Sequence, residues 1–587
     1  MPCPAKTAGC EHLWERLLPV LPFVLAVIVF SRVLSNDFTY DDFLVIVNNH
    51  YIADASLPGA CFSSEYFRVS AEGTYRPGVT LFYHLLVRLF GRRPFGLHMA
   101  ALLLHACTAA MVTRLARRIG LGRWALLPGI AFATHPILTE AICGIGFMED
   151  VISTFFVVGG ILATLWSIDQ PVRPTRLACG TVLTIMALLA AAFSKESGIV
   201  LALFVPVFLL FPTNGRPQPR AACLAAAVLT PAVCLFLYVR FHLLPGDSAS
   251  AERLGGGLVA SAANTTVIFA GYLGRLCYPL ELSVQRHTEL LSGPGDIRLW
   301  PAVALHAAIL AGTLPALRSQ RLRAFALGIF WLYAGLLPTA NIIPIFHPEA
   351  DRYLYMPSVG FFLALGALAH ALSRARPAAT RVLVTLFALP ALAWSTRTVT
   401  RIADWRNNTA LWSHELEINP DSDIAMSELA VEANAAGRYV RAAELARSAL
   451  HLNEHNSLAR LQLARALMRN SRHMDALPLY EQLVTHSTLQ RHHVAQAWHE
   501  MGFIREYTLK DLQGAAKAYS AALAVNPFIL DAWIRLGMIH ATSGRTAAAI
   551  ETWERGLEVF PNDKALAHNI GAARRALKTG NEGGGPP

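Results

Sequence analysis

The sequence lacks the short motifs of most soluble enzymes and metal-binding modules. None of its nine cysteines forms a CxxC pair, which excludes a zinc-ribbon site, and several of them lie inside apolar stretches, which indicates no disulfide framework. A Walker loop, a dinucleotide-binding glycine fingerprint, an HExxH helix and a GxSxG turn are also missing. A cytosolic enzyme acting on nucleotide sugars needs a soluble nucleotide-binding domain, so that class is excluded as well.

Charged residues are scarce. They make up only 15% of the chain, whereas hydrophobic residues make up 54% and the mean hydropathy is +0.39, too apolar for a soluble protein of 587 residues. The formal net charge of +10 would suit a nucleic-acid partner, but the arginines lie in small groups between apolar runs, as in the cytoplasmic loops of membrane proteins. The composition therefore predicts an integral membrane protein with no nucleic-acid partner.

Long apolar runs are abundant in the first 400 residues. About eleven of them approach the length that a spanning helix needs. They lie at 17–34, 97–116, 123–143, 149–167, 177–194, 197–212, 221–240, 300–317, 324–343, 355–373 and 379–397. Polar residues dilute the segment 258–278, which we interpret as re-entrant or interfacial, because only then do all the basic loops face the cytoplasm. The count predicts a membrane domain over 1–400, with a first extracytoplasmic loop at 36–94 and the C-terminal region outside the cytoplasm.

A repeat with a period near 34 residues begins after Asp404. It is carried by the pairs Trp498 and Trp533, Gly502 and Gly537, Tyr519 and Trp553, Ala522 and Gly556, and Pro527 and Pro561. This spacing is typical of tetratricopeptide repeats, so we expect an α-solenoid over 404–578, ending in a capping helix and followed by a disordered tail at 579–587. Its concave face would suit an extended polypeptide or a partner helix, although a rigid spacer is the simpler alternative.

Two adjacent carboxylates, Asp41 and Asp42, follow the first apolar run. Neighbouring carboxylates repel, which raises a pKa, and either one is a candidate base toward a hydroxyl group. The simpler interpretation is a solvated helix cap.

A second acidic cluster consists of His135, Glu140, Glu149 and Asp150 at the outer ends of apolar helices, where ionisable groups are costly without a function or a partner. Pro136 should break the helix there. Helix capping together with an ion pair to Arg76 is the structural alternative.

Four further side chains are candidates for binding a phosphate. Arg76 and Arg352 can bind phosphate through two hydrogen bonds, and Lys195, in a turn between two spans, offers a compact ammonium group. Tyr353 lies beside Arg352, whereas we expect Tyr355 to be a simple anchor at the membrane interface. An exposed Lys195–Glu196 neighbour pair is the alternative at the turn.

The order of these motifs resembles a known family. The set Tyr40-Asp41-Asp42, Tyr75-Arg76-Pro77, His135-Pro136 with Glu140, Lys195-Glu196 and Asp351-Arg352-Tyr353-Leu354-Tyr355, followed by the repeats, is similar to the transmembrane-and-tetratricopeptide-repeat O-mannosyltransferases and their bacterial relatives. The resemblance covers nearly the whole chain. It implies an all-α fold with a GT-C-type polytopic membrane domain and a tetratricopeptide solenoid.

The resemblance also implies an activity. The donor would be a sugar such as mannose on a polyprenyl (dolichyl-type) phosphate, transferred on the extracytoplasmic face to Ser or Thr of proteins presented by the repeats. Asp41 or Asp42 would be the base, His135, Glu140, Glu149 and Asp150 the second acidic cluster, and Arg76, Lys195, Arg352 and Tyr353 the phosphate-binding group. No metal is required, although paired carboxylates are able to hold one.

Two rival functions remain open from the sequence. A non-catalytic membrane-anchored scaffold explains the repeats, but eleven spans with charges gathered at one face exceed what an anchor needs. A transporter would show ionisable residues near mid-bilayer and internal symmetry, neither of which is evident. The arginine-rich, alanine-rich composition favours a bacterial inner membrane with the site in the periplasm; in a eukaryote the equivalent place is the lumenal side of the endoplasmic reticulum.

Overall fold

The computed structural model describes residues 17–53, 59, 62–63, 76–213, 216–243, 253–286, 288–485 and 491–582. Within these ranges the regular elements are all helices, so the predicted all-α class is confirmed. The chain divides into two compact units, residues 1–411 and 412–587, and each is described by itself. Parts of the predicted first loop (54–58, 60–61 and 64–75) lie outside the described residues.

The first unit is built from apolar helices, several of which begin at a proline. Pro77, Pro94, Pro174 and Pro219 each occupy a first helical position, where a missing backbone N–H costs nothing. The helices are α1 (Val20–Phe30), α2 (His50–Ala53), α3 (Pro77–Phe90), α4 (Pro94–Arg118), α5 (Leu126–Thr134), α6 (Thr139–Cys143), α7 (Met148–Ser167), α8 (Pro174–Ser194), α9 (Leu201–Leu210), α10 (Pro219–Tyr238), α11 (Leu258–Cys277), α12 (Leu299–Arg318), α13 (Arg323–Leu336), α14 (Tyr355–Ala375) and α15 (Thr380–Asp404). The boundary between the units at residues 411 and 412 falls within a further helix, α16 (Asn408–Ile418).

Each of the eleven predicted spans contains an apolar helix. Seven are long and apolar enough to cross a bilayer, and an eighth is the pair 122–134 and 136–143, bent by 48°. The other three are shorter, at Val20–Ser35, Glu196–Leu210 and Arg323–Thr339. The bend lies at Pro136, as the sequence predicts, because proline cannot continue the hydrogen-bonding pattern of the preceding helix. Helix α11 is 20 residues long but is not among the candidate spans.

Short 3-10 turns precede several of these helices and carry the polar motifs. Four of them are Pro136–Leu138, Ile145–Phe147, Glu196–Val200 and Asp351–Leu354. The turn at 351–354 packs against the one at 136–138, and the turn at 145–147 packs against the π-helical segment 43–47. These contacts bring polar residues from distant parts of the sequence to one end of the helix bundle.

The second unit is a row of helical hairpins. Its helices are α17 (Asp423–Ala435), α18 (Tyr439–Leu452), α19 (Ser457–Arg469), α20 (His473–Thr485), α21 (Arg491–Tyr507), α22 (Leu512–Val525), α23 (Leu530–Thr542), α24 (Thr546–Val559) and α25 (Lys564–Glu582). The last helix continues four residues beyond the predicted end of the capping helix at 578, and residues 583–587 of the predicted tail lie outside the described ranges.

Small residues and aromatic rings packed against each other explain the repeat period. A Cβ on Gly537 would lie 2.1 Å from the indole nitrogen of Trp553, and one on Gly502 would lie 2.8 Å from the ring of Tyr519. These two hairpins therefore need a glycine on the first helix and have a large ring on the second. This requirement produces the spacing of 34 to 35 residues that the sequence shows.

Candidate active site

A network of buried and partly exposed ion pairs joins α3, α7 and the turn that follows α8. Arg76, at the start of α3, pairs with Glu149 and donates from Nε and Nη2 to Oε2 of Glu196 at 3.1 and 3.0 Å. Lys195 pairs with Asp150 at 2.5 Å and with Glu149 at 3.2 Å. Glu149 therefore lies between two cations. Such a network offsets the cost of placing these charges at the end of an apolar bundle.

Arg352 forms a second buried pair close to the first network. Its guanidinium is 2.5 Å from Oε1 of Glu140, and its backbone N–H donates to Oε2 of the same carboxylate at 2.9 Å. The guanidinium also stacks over the rings of Phe147 and Tyr353, 4.3 and 5.3 Å from their centroids. The Lys195 ammonium lies 5.4 Å from the centroid of the same Tyr353 ring. Tyr353 thus connects the two networks through cation–π contacts.

The segment carrying Asp41 and Asp42 is fixed by residues that follow α15. The Asp37 N–H donates to the carbonyl of Arg406 at 2.9 Å, and the Tyr40 N–H donates to Oδ1 of Asn408 at 2.6 Å. Tyr40 has a positive φ of 50°, a conformation that is unfavourable for a large side chain and persists only where surrounding contacts impose it. These contacts turn the chain so that the carboxylate of Asp42 and the Cβ of Asp41 meet the 145–147 turn.

The two carboxylates have different surroundings. Both oxygens of Asp42 accept backbone hydrogen bonds, from Gly146 at 2.6 Å and from Thr39 at 3.0 Å, and the side chain is 1% exposed. Asp41 keeps partial exposure, and its carboxylate accepts no hydrogen bond from the residues that the structure describes. Its Cβ lies against Gly146, where an added Cβ would approach it to 3.0 Å. Asp42 therefore has a structural role, whereas Asp41 is available to a ligand.

Electrostatics separate the two groups further. Burial raises the pKa of Asp41 from 3.8 to about 6; the positive charges of Arg352 and Arg76 oppose the rise, and Glu149 adds to it. Burial raises the pKa of Asp42 to about 8, and its backbone N–H partners offset only part of that rise. At neutral pH Asp41 is mostly ionised and Asp42 mostly protonated, and a base must be ionised.

His135 is committed to the local fold. Its Nδ1 accepts the N–H of Ile137 at 3.2 Å, and its Nε2 lies 3.2 Å from the carbonyl of Leu276, which it reaches as an N–H donor when the ring is neutral. The ring packs against Trp394, with the centroids 4.5 Å apart. His135 therefore anchors the turn after α5 to the end of α11.

The structure brings the other predicted site residues together. Asp41, Asp42, Arg76, Glu140, Glu149, Asp150, Lys195, Arg352 and Tyr353 all belong to the two networks or to the segment beside them. The ion pair between Arg76 and Glu149, given above as the structural alternative, is present. Lys195 is buried and paired with Asp150, so the exposed Lys195–Glu196 pair is not formed.

One interpretation from the sequence is wrong. Tyr355 is not an interfacial anchor but is fully buried, with its hydroxyl 2.9 Å from Nδ1 of His105 on α4. The cause is the position of Tyr355 at the start of helix α14, which points its side chain into the bundle. There His105 forms a hydrogen bond with the hydroxyl group.

Three arginines in the surroundings were not predicted. Arg275 pairs with Glu349 at 2.5 Å, and Arg286 is 3.1 Å from Asp351, the neighbour of Arg352. Arg240, just after α10, lies 3.7 Å from Glu196. The only signal in the sequence was Arg275 itself, a single charge within the otherwise uncharged segment 258–278. In the described part of the chain, no group of three or more His, Cys, Asp or Glu side chains is placed to hold a metal ion.

Comparison with known proteins identifies the second unit and relates the whole chain to a family. Two tetratricopeptide-repeat family models match residues 433–490 and 503–564. Protein O-mannosyl-transferase TMTC4 of Mus musculus is 23% identical over 70% of this chain and 64% of its own length. Protein O-mannosyl-transferase TMTC3 of Homo sapiens is 20% identical over 93% of this chain and 64% of its own length.

A third relative, protein O-mannosyl-transferase F38B6.6 of Caenorhabditis elegans, is 24% identical over 68% of this chain and 57% of its own length. The chain thus spans about three fifths of the length of these curated relatives. Among solved structures, the apo oligosaccharyltransferase of Archaeoglobus fulgidus aligns with 67% of this chain and 56% of its own, at 14% identity and a TM-score of 0.34, which is too low to support an argument. The chain is a multi-pass membrane protein with C-terminal tetratricopeptide repeats and a homologue of the transmembrane-and-tetratricopeptide-repeat protein O-mannosyltransferases.

Proposed function

We propose that this protein is a membrane glycosyltransferase that moves a hexose such as mannose from a polyprenyl-phosphate donor to a hydroxyl group on the extracytoplasmic side of the membrane, with Ser or Thr of a polypeptide as the acceptor. The observation that carries the proposal is Asp41: a partly exposed carboxylate without a hydrogen-bond donor among the described residues, in the field of the Arg352 and Arg76 charges. The names of the homologues support the same chemistry.

In this proposal Asp41 is the base. It accepts the proton of the acceptor hydroxyl as that oxygen attacks the anomeric carbon, and the bond from that carbon to the phosphate oxygen breaks with inversion. The polyprenyl phosphate leaves with the bonding electron pair. Arg76, Lys195 and Arg352 stabilise the negative charge that develops on the phosphate, with Tyr353 fixing the positions of the last two. The buried carboxylates keep these three cations in place while the site is empty.

The repeats would bind the acceptor polypeptide. Tetratricopeptide solenoids stack helical hairpins into an extended surface suited to a peptide, and attaching such a surface to the enzyme raises the effective concentration of the acceptor. The alternative of a scaffold without catalytic activity accounts for the repeats equally well. It gives no reason for Asp41 to remain without a hydrogen bond beside buried cations.

Single substitutions to asparagine test the assignment. We expect Asp41→Asn to lower transfer by about a hundredfold or more, because the base is lost, with little effect on the melting temperature. Asp42→Asn should instead lower the free energy of unfolding by about 1–3 kcal/mol. The reason is that its amide NH2 group would replace an oxygen that accepts a backbone N–H bond. Asp37→Asn, in the same segment but exposed, is the matched control. The assay measures sugar transfer by the purified protein in nanodiscs, with a polyprenyl-phosphate mannose as donor and a peptide containing Ser and Thr as acceptor. Full activity of Asp41→Asn would end the proposal.

A further inference from the structure

Glu196 is the most exposed carboxylate of the first network. Its side chain is 31% exposed, against 10% for Glu149 and 6% for Asp150. Its Oε2 accepts both Nε and Nη2 of Arg76, while its Oε1 faces Nε of Arg240 at 3.7 Å. The carboxylate therefore lies between two guanidinium groups that come from different helices, α3 and the end of α10.

Arg240 is incompletely satisfied. Its distance of 3.7 Å to Glu196 is too long for a hydrogen bond, and its guanidinium has no hydrogen-bond acceptor among the described residues. The contact with Glu196 is the only ion pair of Arg240 in the described part of the chain, and the Arg240 side chain is 19% exposed. A guanidinium in this state retains its N–H donors for an incoming anion.

We propose that Arg76 and Arg240 form the binding site for the phosphate of the lipid donor, and that Glu196 occupies this site when the donor is absent. The inference rests on the proposed function and adds to it a residue, Arg240, and a competitor, Glu196. A phosphodiester carries two non-bridging oxygens, so one can replace Oε2 of Glu196 on the fork of Arg76 and the other can reach Arg240. Glu196 then turns outward, which its exposure permits, whereas Glu149 and Asp150 remain buried and continue to hold Lys195.

The competition has a measurable consequence. A binding site that is occupied by an internal carboxylate for most of the time has an apparent affinity reduced by the fraction of time it is free. Removing the charge of Glu196 should therefore tighten binding of a lipid phosphate, which is the opposite of what the loss of a ligand-binding residue produces. Removing Arg240 should weaken it.

The experiment measures binding of farnesyl phosphate to the full-length protein in nanodiscs, without any sugar transfer. We expect Glu196→Gln to lower the dissociation constant about tenfold and Arg240→Gln to raise it about tenfold, with inorganic phosphate following the same order more weakly. Asp169→Asn is the matched control: it frees Arg118 from a two-point pair at the opposite end of α7, and it should leave the dissociation constant unchanged. Melting temperatures of all variants report whether the fold is retained.

The outcomes separate this inference from the proposed function. Tighter binding by Glu196→Gln and weaker binding by Arg240→Gln support the inference, even if no sugar is transferred in any assay. Unchanged or weaker binding by Glu196→Gln overturns it, even if transfer occurs and depends on Asp41. An equal gain in the Asp169→Asn control also overturns it, because any freed arginine would then attract the anion. If only inorganic phosphate responds to the two substitutions, the site is not one for the lipid donor and the inference falls.

Discussion

One ion pair in the membrane unit and one in the repeat unit differ most in their access to water. The side chains of Arg352 and Glu140 are 8% and 4% exposed, whereas those of Arg441 and Glu444 on the repeats are 62% and 55% exposed. A buried charge needs a partner because the apolar surroundings cannot solvate it, whereas an exposed pair exchanges protein contacts for water contacts of similar strength. The charges of Arg352 and Glu140 are therefore interdependent, and those of Arg441 and Glu444 are not.

The repeat unit is stabilised mainly by close packing of apolar side chains. Its core consists of alanines and leucines packed against Tyr480 in one cluster and against Tyr519, Trp533 and Trp553 in another. Small residues such as Gly537 are needed where two helices cross closely. The comparison teaches that a substitution at the Arg352–Glu140 pair should act through charge and one at Gly537 through volume.

The largest effect is expected at the Arg352–Glu140 pair. Glu140→Ala or Arg352→Ala leaves one buried charge without its partner, so each should lower the free energy of unfolding by about 3–5 kcal/mol. Thermal unfolding in detergent measures the change. The double variant should be more stable than the sum of the single effects predicts, because neither charge is left alone. Additive effects would show that the two residues do not act as a pair.

A volume change in the repeats comes next. Gly537→Ala places a methyl group against the indole of Trp553 and should destabilise the α23–α24 hairpin by about 1–3 kcal/mol. Hydrogen–deuterium exchange of the full chain, read at peptides from these helices, measures the local opening. Gly571→Ala in α25 is the control, since the added Cβ has only the tip of Arg575 within 4 Å. Equal exchange in the two variants would contradict the packing explanation.

The pH dependence of transfer tests Asp41 directly. Its pKa is raised to about 6 by burial, and a base acts only when it is deprotonated. Transfer should therefore be constant above about pH 7 and fall about tenfold for each pH unit below about 6. The rate at saturating acceptor, measured in nanodiscs from about pH 4 to about pH 8, provides the profile. A midpoint near the ordinary value of an aspartate would mean that another group limits the rate.

The smallest effect is expected on the repeat surface. Arg441→Ala removes an exposed pair with Glu444, and the free energy of unfolding should change by no more than about 0.5 kcal/mol. Thermal unfolding in detergent, the measurement also used for Arg352→Ala, places both numbers on one scale. A large loss here would remove the distinction between the two units.

Much of the architecture was predictable because it depends on local patterns. Apolar runs and a period near 34 are properties of short windows of sequence, and they located the eleven apolar segments and the repeats. The break at Pro136 was also local. Tyr355 shows the limit of such patterns: its direction depends on which face of α14 meets α4, and a tyrosine at a helix end has the same local sequence signal in either orientation.

The members of the candidate site were predictable as residue types, but their partners were not. Charged residues at the ends of apolar helices, such as Lys195 and Arg352, stand out in the sequence because a bilayer makes them costly. That Lys195 meets Asp150, and that Arg240 faces Glu196, depends on contacts between helices far apart in the chain. Arg240 stayed unnoticed because one arginine at the end of a span is an ordinary feature.

The sequence by itself determined that the chain is a multi-span helical protein with tetratricopeptide repeats and a set of polar motifs between its spans, because hydropathy, period and residue type are local properties. Only the tertiary structure decided which carboxylate is held by backbone N–H groups and which remains available. Asp41 and Asp42 are adjacent and chemically identical, and the difference between them arises from the backbone N–H groups of Gly146 and Thr39, which donate to the carboxylate of Asp42 and not to that of Asp41.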